Sequence, residues 1–209
     1  LDWLESRHVL TRQHGSASLL NPLGRPSGSQ RVRANRAIAR EAAKYVCDGD
    51  CIFINSSSTA LSIIDFIEAR DVTVVTNNGK ALLMGEHPAL SILLTGGEIR
   101  PPRASMTGEI AMDNVRRIRA KKCFLGCTAI SVADGITSAT APEPVVNALM
   151  LSQSDEHFLV ADSSKIGRTS SFPFGTVDDI DTLITDTGAT PEEVSAFLAH
   201  GVSRVIRAE

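Results

Sequence analysis

Four short clusters of small polar residues give this chain the means to hold an anion: Ser56-Ser57-Ser58-Thr59, Thr76-Asn77-Asn78, Gly96-Gly97 and Asp162-Ser163-Ser164-Lys165. The first supplies hydroxyls just ahead of a helix-like segment. Backbone N–H groups without helical partners, together with the helix dipole, favour a phosphate at such a start. A helix cap uses one residue of this type, and four in a row exceed that need. Gly96-Gly97 lets backbone come close to a ligand. Lys165 adds a point positive charge beside two hydroxyls. Each cluster alone is also what turns are made of. Their recurrence after successive apolar runs is the signal, because ligands of open α/β sheets bind beyond the carboxyl ends of the strands.

Other chemistries find less support. Neither G-x-x-x-x-G-K-[ST] nor G-x-G-x-x-G is complete, which weighs against a nucleotide fold. Cys47, Cys51, Cys123 and Cys127 form two C-x-x-x-C pairs. Cys123 and Cys127 share one strand-like run, where residues four apart lie roughly 13 Å from each other, too far for one tetrahedral ion. They are read as buried free thiols in a reducing cytoplasm, and neither a metal nor a cofactor is expected.

The elements that must position these clusters alternate. Short apolar runs read as strands at Cys51–Ile54, Val72–Val75, Leu90–Leu94, Lys122–Gly126, His157–Ala161, Thr182–Thr185 and Val202–Ile206. Helical stretches are expected at Arg31–Val46, Ala60–Ala69, Lys80–Glu86, Asp113–Arg119 and Pro144–Ser152, and one opens at Pro191. Continuous apolar strands interleaved with helices predict an α/β fold, a largely parallel sheet flanked by helices. Ahead of it, Trp3–Glu5 reads as the end of a helix, Val9–Arg12 as a strand and His14-Gly15 as a turn. Residues 21–30, rich in Pro, Gly and Ser, read as a linker. The expected domains are 1–20, the linker 21–30, and an α/β domain over 31–209.

Of the 209 residues 43% are hydrophobic and 4% aromatic, so the core is built from Leu, Ile, Val and Ala. No apolar run reaches the length of a membrane span, no signal peptide pattern opens the chain, and a cytoplasmic protein is expected. Because the first residue is Leu1 rather than Met, a preceding segment is expected too. Residues 1–45 hold eight basic and three acidic side chains, a charge of +5, while the remainder carries −8. A basic end on an acidic body fits a chain whose amino-terminal side faces nucleic acid.

A set of motifs in fixed order resembles one family. It runs through Asp48–Thr59, Thr73–Asn77, Gly96-Gly97, Phe124–Gly126, Asp134–Thr137, Leu159–Gly167 and Asp181–Asp186. Together these resemble the sensor domain of DeoR-type transcription repressors from about Arg31 onward. Val9–Ala17 resembles the wing of that family's winged helix-turn-helix, with Arg12 and His14 as a remnant of the DNA-binding part. The resemblance implies the fold of ribose-5-phosphate isomerase and glucosamine-6-phosphate deaminase. It implies a phosphorylated sugar as effector, operator DNA bound through an amino-terminal domain mostly absent here, a homo-oligomer (dimer or tetramer), and no membrane. The candidate effector contacts are Ser56, Ser57, Ser58, Thr59, Thr76, Asn77, Asn78, Gly96, Gly97, Gly126, Asp134, Gly135, Glu143, Asp162 and Lys165. Of these, Ser57, Ser58, Thr59 and Lys165 are assigned to the phosphate. The chain departs from the family where an acid, a glycine and a threonine usually precede or open the first helix. Here Asn55, Ser57 and Ala60 stand in those places, Asn147 stands where a basic residue is frequent, and His8 replaces a glycine of the wing.

The rival expectation is a sugar-phosphate isomerase or deaminase on the same fold, since fold does not decide function. Moving a proton along a sugar requires a base within hydrogen-bond reach of the carbon. The central strand ends in Gly126-Cys127-Thr128-Ala129-Ile130, without an acid. Asp134 and Glu143 are the nearest carboxylates in sequence. Binding without catalytic residues is therefore expected, with Arg31–Lys44 placed to transmit it.

Overall fold

The computed structural model describes residues 10–13, 16–19, 30–85 and 87–209. The chain divides into two compact units, Leu1–Arg33 and Ala34–Glu209. In the first, strands β1 (Leu10–Gln13) and β2 (Ser16–Leu19) form an antiparallel hairpin with Arg12 opposite Ala17. His14, the helix end expected at Trp3–Glu5 and residues 21–29 of the expected linker lie outside the described residues. Helix α1 (Gln30–Ala43) follows. It buries Ile38, Ala39, Ala42 and Ala43 and leaves Arg36, Arg40 and Lys44 exposed.

The larger unit contains strands β3 (Cys51–Ile54), β4 (Val72–Thr76), β5 (Leu90–Leu94), β6 (Glu98–Ile99), β7 (Met106–Thr107) and β8 (Ala120–Leu125). They are followed by β9 (Ala129–Ser131), β10 (Gly135–Ser138), β11 (Ser154–Val160), β12 (Phe172–Gly175), β13 (Thr182–Asp186) and β14 (Arg204–Ala208). Seven of these make one sheet in the order β14-β13-β11-β8-β3-β4-β5, and every pair in it is parallel. Side chains alternate across such strands, so each strand feeds two cores. Ile52, Ile54, Val74, Phe124, Val160 and Ile184 pack on the side of α1 and the short helix α2 (Ser58–Leu61). Phe53, Val75, Leu125, Leu159 and Leu183 pack on the side of α3 (Glu109–Arg116), α4 (Glu143–Ser152) and α5 (Pro191–Ala199). The α/β expectation is met.

The strand order fixes where a ligand fits. From β3 the chain moves outward to β4 and β5, then returns to β8 on the other side of β3 and proceeds to β11, β13 and β14. The direction reverses between β3 and β8, and a crevice opens at the carboxyl ends of strands that part in this way.

Two helices and two small sheets differ from expectation. The helix expected over Ala60–Ala69 tightens after Leu61 into a 3₁₀ turn, Ser62–Phe66. It carries the β-branched pair Ile63-Ile64, poor helix formers, and both are fully buried. The helix expected at Lys80–Glu86 is a 3₁₀ turn over Gly79–Leu83, too short to sustain a nucleated α-helix. Two antiparallel ribbons were not anticipated: β6 with β7, and a small sheet in the order β12-β10-β9. Their strands are two to four residues long, too short for a clear alternation.

Candidate functional site

At the reversal point sits Asn55, the first residue past β3 and 2% exposed. Its side-chain amide joins both halves of the sheet. Asn55 Oδ1 accepts from Gly126 N (3.0 Å) and Ser57 N (3.2 Å), and Asn55 Nδ2 donates to Gly126 O (2.8 Å) and to Asn147 Oδ1 (3.2 Å). Burial obliges an amide to use its donors and acceptors; here two of the four bonds hold the loop at the end of β3 against the end of β8, one braces the loop itself and one reaches α4. Two of the departures from the family pattern, Asn55 and Asn147, are thus bonded to each other. A third, Ser57, faces the same glycine: a Cβ on Gly126 would lie 2.0 Å from Ser57 Oγ. Only glycine permits that approach.

Ser57 caps α2, its Oγ accepting from Ala60 N at 3.5 Å. Ser56, Ser57 and Ser58 are half-buried and open at the crevice, whereas Thr59 is buried. From the end of β4, Asn78 Nδ2 donates to Ser56 O (3.1 Å), tying the second cluster to the first. Thr76 and Asn77 are fully buried. Thr76 Oγ1 accepts from Asn78 N, and Asn77 Nδ2 donates to Met106 O, so both serve the turn and its junction with β7. Gly97 also belongs to that junction: with φ at +109°, its Cβ position would lie 2.4 Å from the Thr107 carbonyl oxygen. Gly96 precedes it at the end of β5.

On the other flank, Asp162, Ser163, Ser164 and Lys165 follow β11. Ser163 is held by Asp186, through its N–H (2.6 Å) and its hydroxyl (3.0 Å). Ser164 Oγ donates to Asp162 Oδ1. The Lys165 ammonium stands 3.8 Å from Asp162 Oδ2, with 11% of its side chain exposed. Cys127, just past β8, feels both groups. Burial pushes its thiol up to about 11, Lys165 pulls it down and Asp162 raises it again. That places the Lys165 charge beside the end of β8. Glu143, in the first turn of α4, accepts from Ser138 Oγ (3.0 Å) and lies 3.5 Å from Arg103 Nη1. One turn along the same helix is Asn147, which reaches Asn55.

Asp134 and Gly135 are elsewhere. Asp134 is fixed in a hairpin tip by Ser131 Oγ (2.9 Å). With Thr176, Asp178 and His200 the two residues line a separate open cavity of about 560 Å³. Helix α5 ends at Ala199 and β14 begins at Arg204, so this cavity lies at the amino end of the sheet, opposite the crevice. Arg12 lies on β1.

Asn55, Asn147 and Cys127 were not among the expected contacts. The signal for Asn55 was its position directly before the serine cluster. Asn147 and Cys127 reach the site only through the fold. Among the described residues no three His, Cys, Asp or Glu side chains gather as a metal site, and no helix is long and apolar enough to cross a membrane. The crevice offers hydroxyls, amides, the Lys165 ammonium with Asp162 3.8 Å away, and the Glu143 carboxylate, a set able to meet an anion beside Lys165 and ligand hydroxyls elsewhere.

Comparison with known proteins adds to this geometry. A family model described as the DeoR C terminal sensor domain matches residues 30–187. An uncharacterized HTH-type transcriptional regulator, YulB of Bacillus subtilis (strain 168), is 33% identical over 203 residues, covering 94% of this chain and 79% of its own. The lactose phosphotransferase system repressor of Lactococcus lactis subsp. lactis is 31% identical over 207 residues, covering 94% and 81%. Among solved structures, a mutant RipA is similar in fold over 88% of this chain and 52% of that chain, at 10% identity and a TM-score of 0.50. Ribose 5-phosphate isomerase from Plasmodium falciparum covers 63% of this chain and 52% of its own, at 17% identity and a TM-score of 0.44. The family model takes in most of the large unit and the regulators align along nearly the whole chain, so the protein belongs to the DeoR family of transcription regulators, with residues 30–187 forming its sensor domain.

Proposed function

We propose that the crevice between β3 and β8 binds a phosphorylated sugar, and that this binding controls how a DeoR-type repressor holds its operator. The phosphate lies against Ser56, Ser57, Ser58 and the amino end of α2, with Lys165 as counter-charge. Sugar hydroxyls face Asn78, Gly126 and Glu143. The observation that carries this is the Asn55 amide, which fixes the serine loop and the end of β8 as one preformed wall. Asp134 and Gly135, at the far end of the sheet, are left out of this contact set. The protein acts in the cytoplasm as a homo-oligomer and reaches DNA through an amino-terminal domain. A ligand that prefers one of two arrangements of the sensor shifts the attached domains with it.

An isomerase or deaminase on the same fold is the second reading, and the Glu143 carboxylate beside the crevice is what favours it. Against it, Glu143 is already engaged by Ser138 and Arg103, and β8 ends without an acid. One experiment separates the two. Thermal unfolding is followed with sugar phosphates, free sugars and inorganic phosphate, and products are assayed in the same tubes. A ligand at a hundred times its Kd adds about 2.7 kcal/mol. A sensor is stabilised by a phosphorylated sugar that is recovered unchanged, and Lys165→Met abolishes the stabilisation. Conversion of the sugar would make the protein an enzyme, and indifference to every phosphate would remove the phosphate from the proposal.

A further inference from the structure

The two edges of the main sheet are built differently. Strand β14 at one edge carries Arg204 and Arg207. Charged side chains on an edge strand are the ordinary protection against pairing with another chain. Strand β5 at the other edge reads Leu-Ser-Ile-Leu-Leu, with neither charge nor proline, and its outer side has no strand partner among the described residues. Six of the nine large hydrophobic side chains that are exposed among the described residues lie about it: Leu82 (76%) and Leu83 (65%) on the turn leading into β5, Ile92 and Leu93 on the strand, Ile99 on β6 and Ile110 on α3. Two glycines flanking the strand lie against members of this set. The Cβ position of Gly79 lies 3.5 Å from Ile99 Cδ1, and that of Gly96 lies 3.6 Å from Ile110 Cγ2. Summed over both faces of this edge, the six leave on the order of 600 Å² of apolar surface in water, against the roughly 800 Å² each partner gives to a standard interface.

We infer that a second copy of this chain covers β5, pairing its own β5 antiparallel across a two-fold axis so that two seven-stranded sheets become one. The inference rests on the assembly stated under Proposed function and adds the surface. The rim of the patch points to an identical partner rather than a charged one. Glu98 pairs with Arg100 (3.2 Å), and Arg116 with Asp113 (2.7 Å) and Glu109 (3.9 Å). Three acids against two bases leave one negative charge on each rim, a small repulsion between identical copies that salt screens. A two-fold axis also brings like residues together, which suits a strand that carries no charge.

Sedimentation velocity of the 209-residue chain at tens of micromolar tests this, with melting curves to verify folding. The expected result is an even multiple of the chain mass that Leu93→Glu reduces to half or less, while Leu198→Glu on α5, an equally exposed leucine away from the patch, changes nothing. If Leu93→Glu loses its cooperative melt, the paired change Leu82→Glu and Leu83→Glu, on the exposed turn, carries the same expectation. A monomeric wild type overturns both the assembly and the surface, and means another segment or partner covers β5. An assembled wild type that keeps its mass in these variants overturns the surface alone.

Discussion

At the scale of single residues, the crevice depends on one uncharged side chain. Asn55 donates twice and accepts twice, and a carboxylate in its place would accept only. Asn55→Asp would keep the bonds from Ser57 N and Gly126 N but turn a buried negative oxygen toward Gly126 O and Asn147 Oδ1. An unpaired buried charge of this kind is expected to lower stability by about 3 kcal/mol. Asn147→Lys in the same chain supplies the missing donor and the opposite charge. The double variant is therefore expected to be more stable than the sum of its singles by at least ~1 kcal/mol, read from a urea double-mutant cycle at neutral pH. Purely additive losses would mean the two positions do not exchange a charge pair for an amide pair. The same bond joins two positions where the family resemblance implies an acid and a base, and where this chain has two amides.

At the scale of elements, the ribbon of β6 and β7 is held to the sheet by close backbone approach. Gly97→Ala would place a methyl 2.4 Å from the Thr107 carbonyl oxygen in a left-handed backbone conformation, whereas at Gly96 the nearest atom is 3.6 Å away. The first change is expected to lower stability by about 2–3 kcal/mol and the second by about 1 kcal/mol, since only the first adds a clash to the strain of positive φ. Urea midpoints for the two variants check the order. The sheet strands and most helices were legible in the sequence because buried parallel strands write continuous apolar runs and their crossovers write helical periodicity. The ribbons were not, because Glu98-Ile99 and Met106-Thr107 are too brief to show a period. The crevice was half legible. Strand ends marked by Ser56–Thr59 and Asp162–Lys165 were visible as polar clusters, but Thr76, Asn77 and Gly97 turned out to brace the turn behind Ser56. Asp134 and Gly135, close to Gly126 in sequence, are carried to the far end of the sheet by β9 and β10. Hairpin direction is set by pairing across the fold, which local sequence does not encode.

At the scale of the whole molecule, the buried Cys123 and the part-buried Cys127 couple stability to alkaline pH. Burial pushes Cys123 up to about 12 and Cys127 up to about 11, from an ordinary value near 9. Between those limits the unfolded chain has released protons that the folded chain retains, so folding weakens as pH rises. The contribution is intact below the unfolded value near 9 and is lost progressively toward 11–12. The urea midpoint is expected to fall between about pH 8 and pH 11. Cys127→Ala, which removes one titrating group, makes the fall shallower, and an unchanged slope would mean that thiol does not titrate with folding. Neutral and acidic pH leave this contribution untouched.

The aromatic content of the molecule has an optical consequence. Tyr45 is the only tyrosine, and the one tryptophan, Trp3, falls outside the described residues. The Tyr45 ring lies 5.1 Å from that of Phe158, which stacks at 4.7 Å on Phe124, and the Arg204 guanidinium stands 5.9 Å above it. With Trp3 replaced by phenylalanine, ultraviolet emission from the chain comes from this one ring, packed on Phe158 on the α1 side of the sheet. Tyr45 is not among the residues proposed to touch the ligand, so its light reports the packing around Phe158. If its intensity or near-ultraviolet dichroism moves when a sugar phosphate is added, the strands themselves have carried the message.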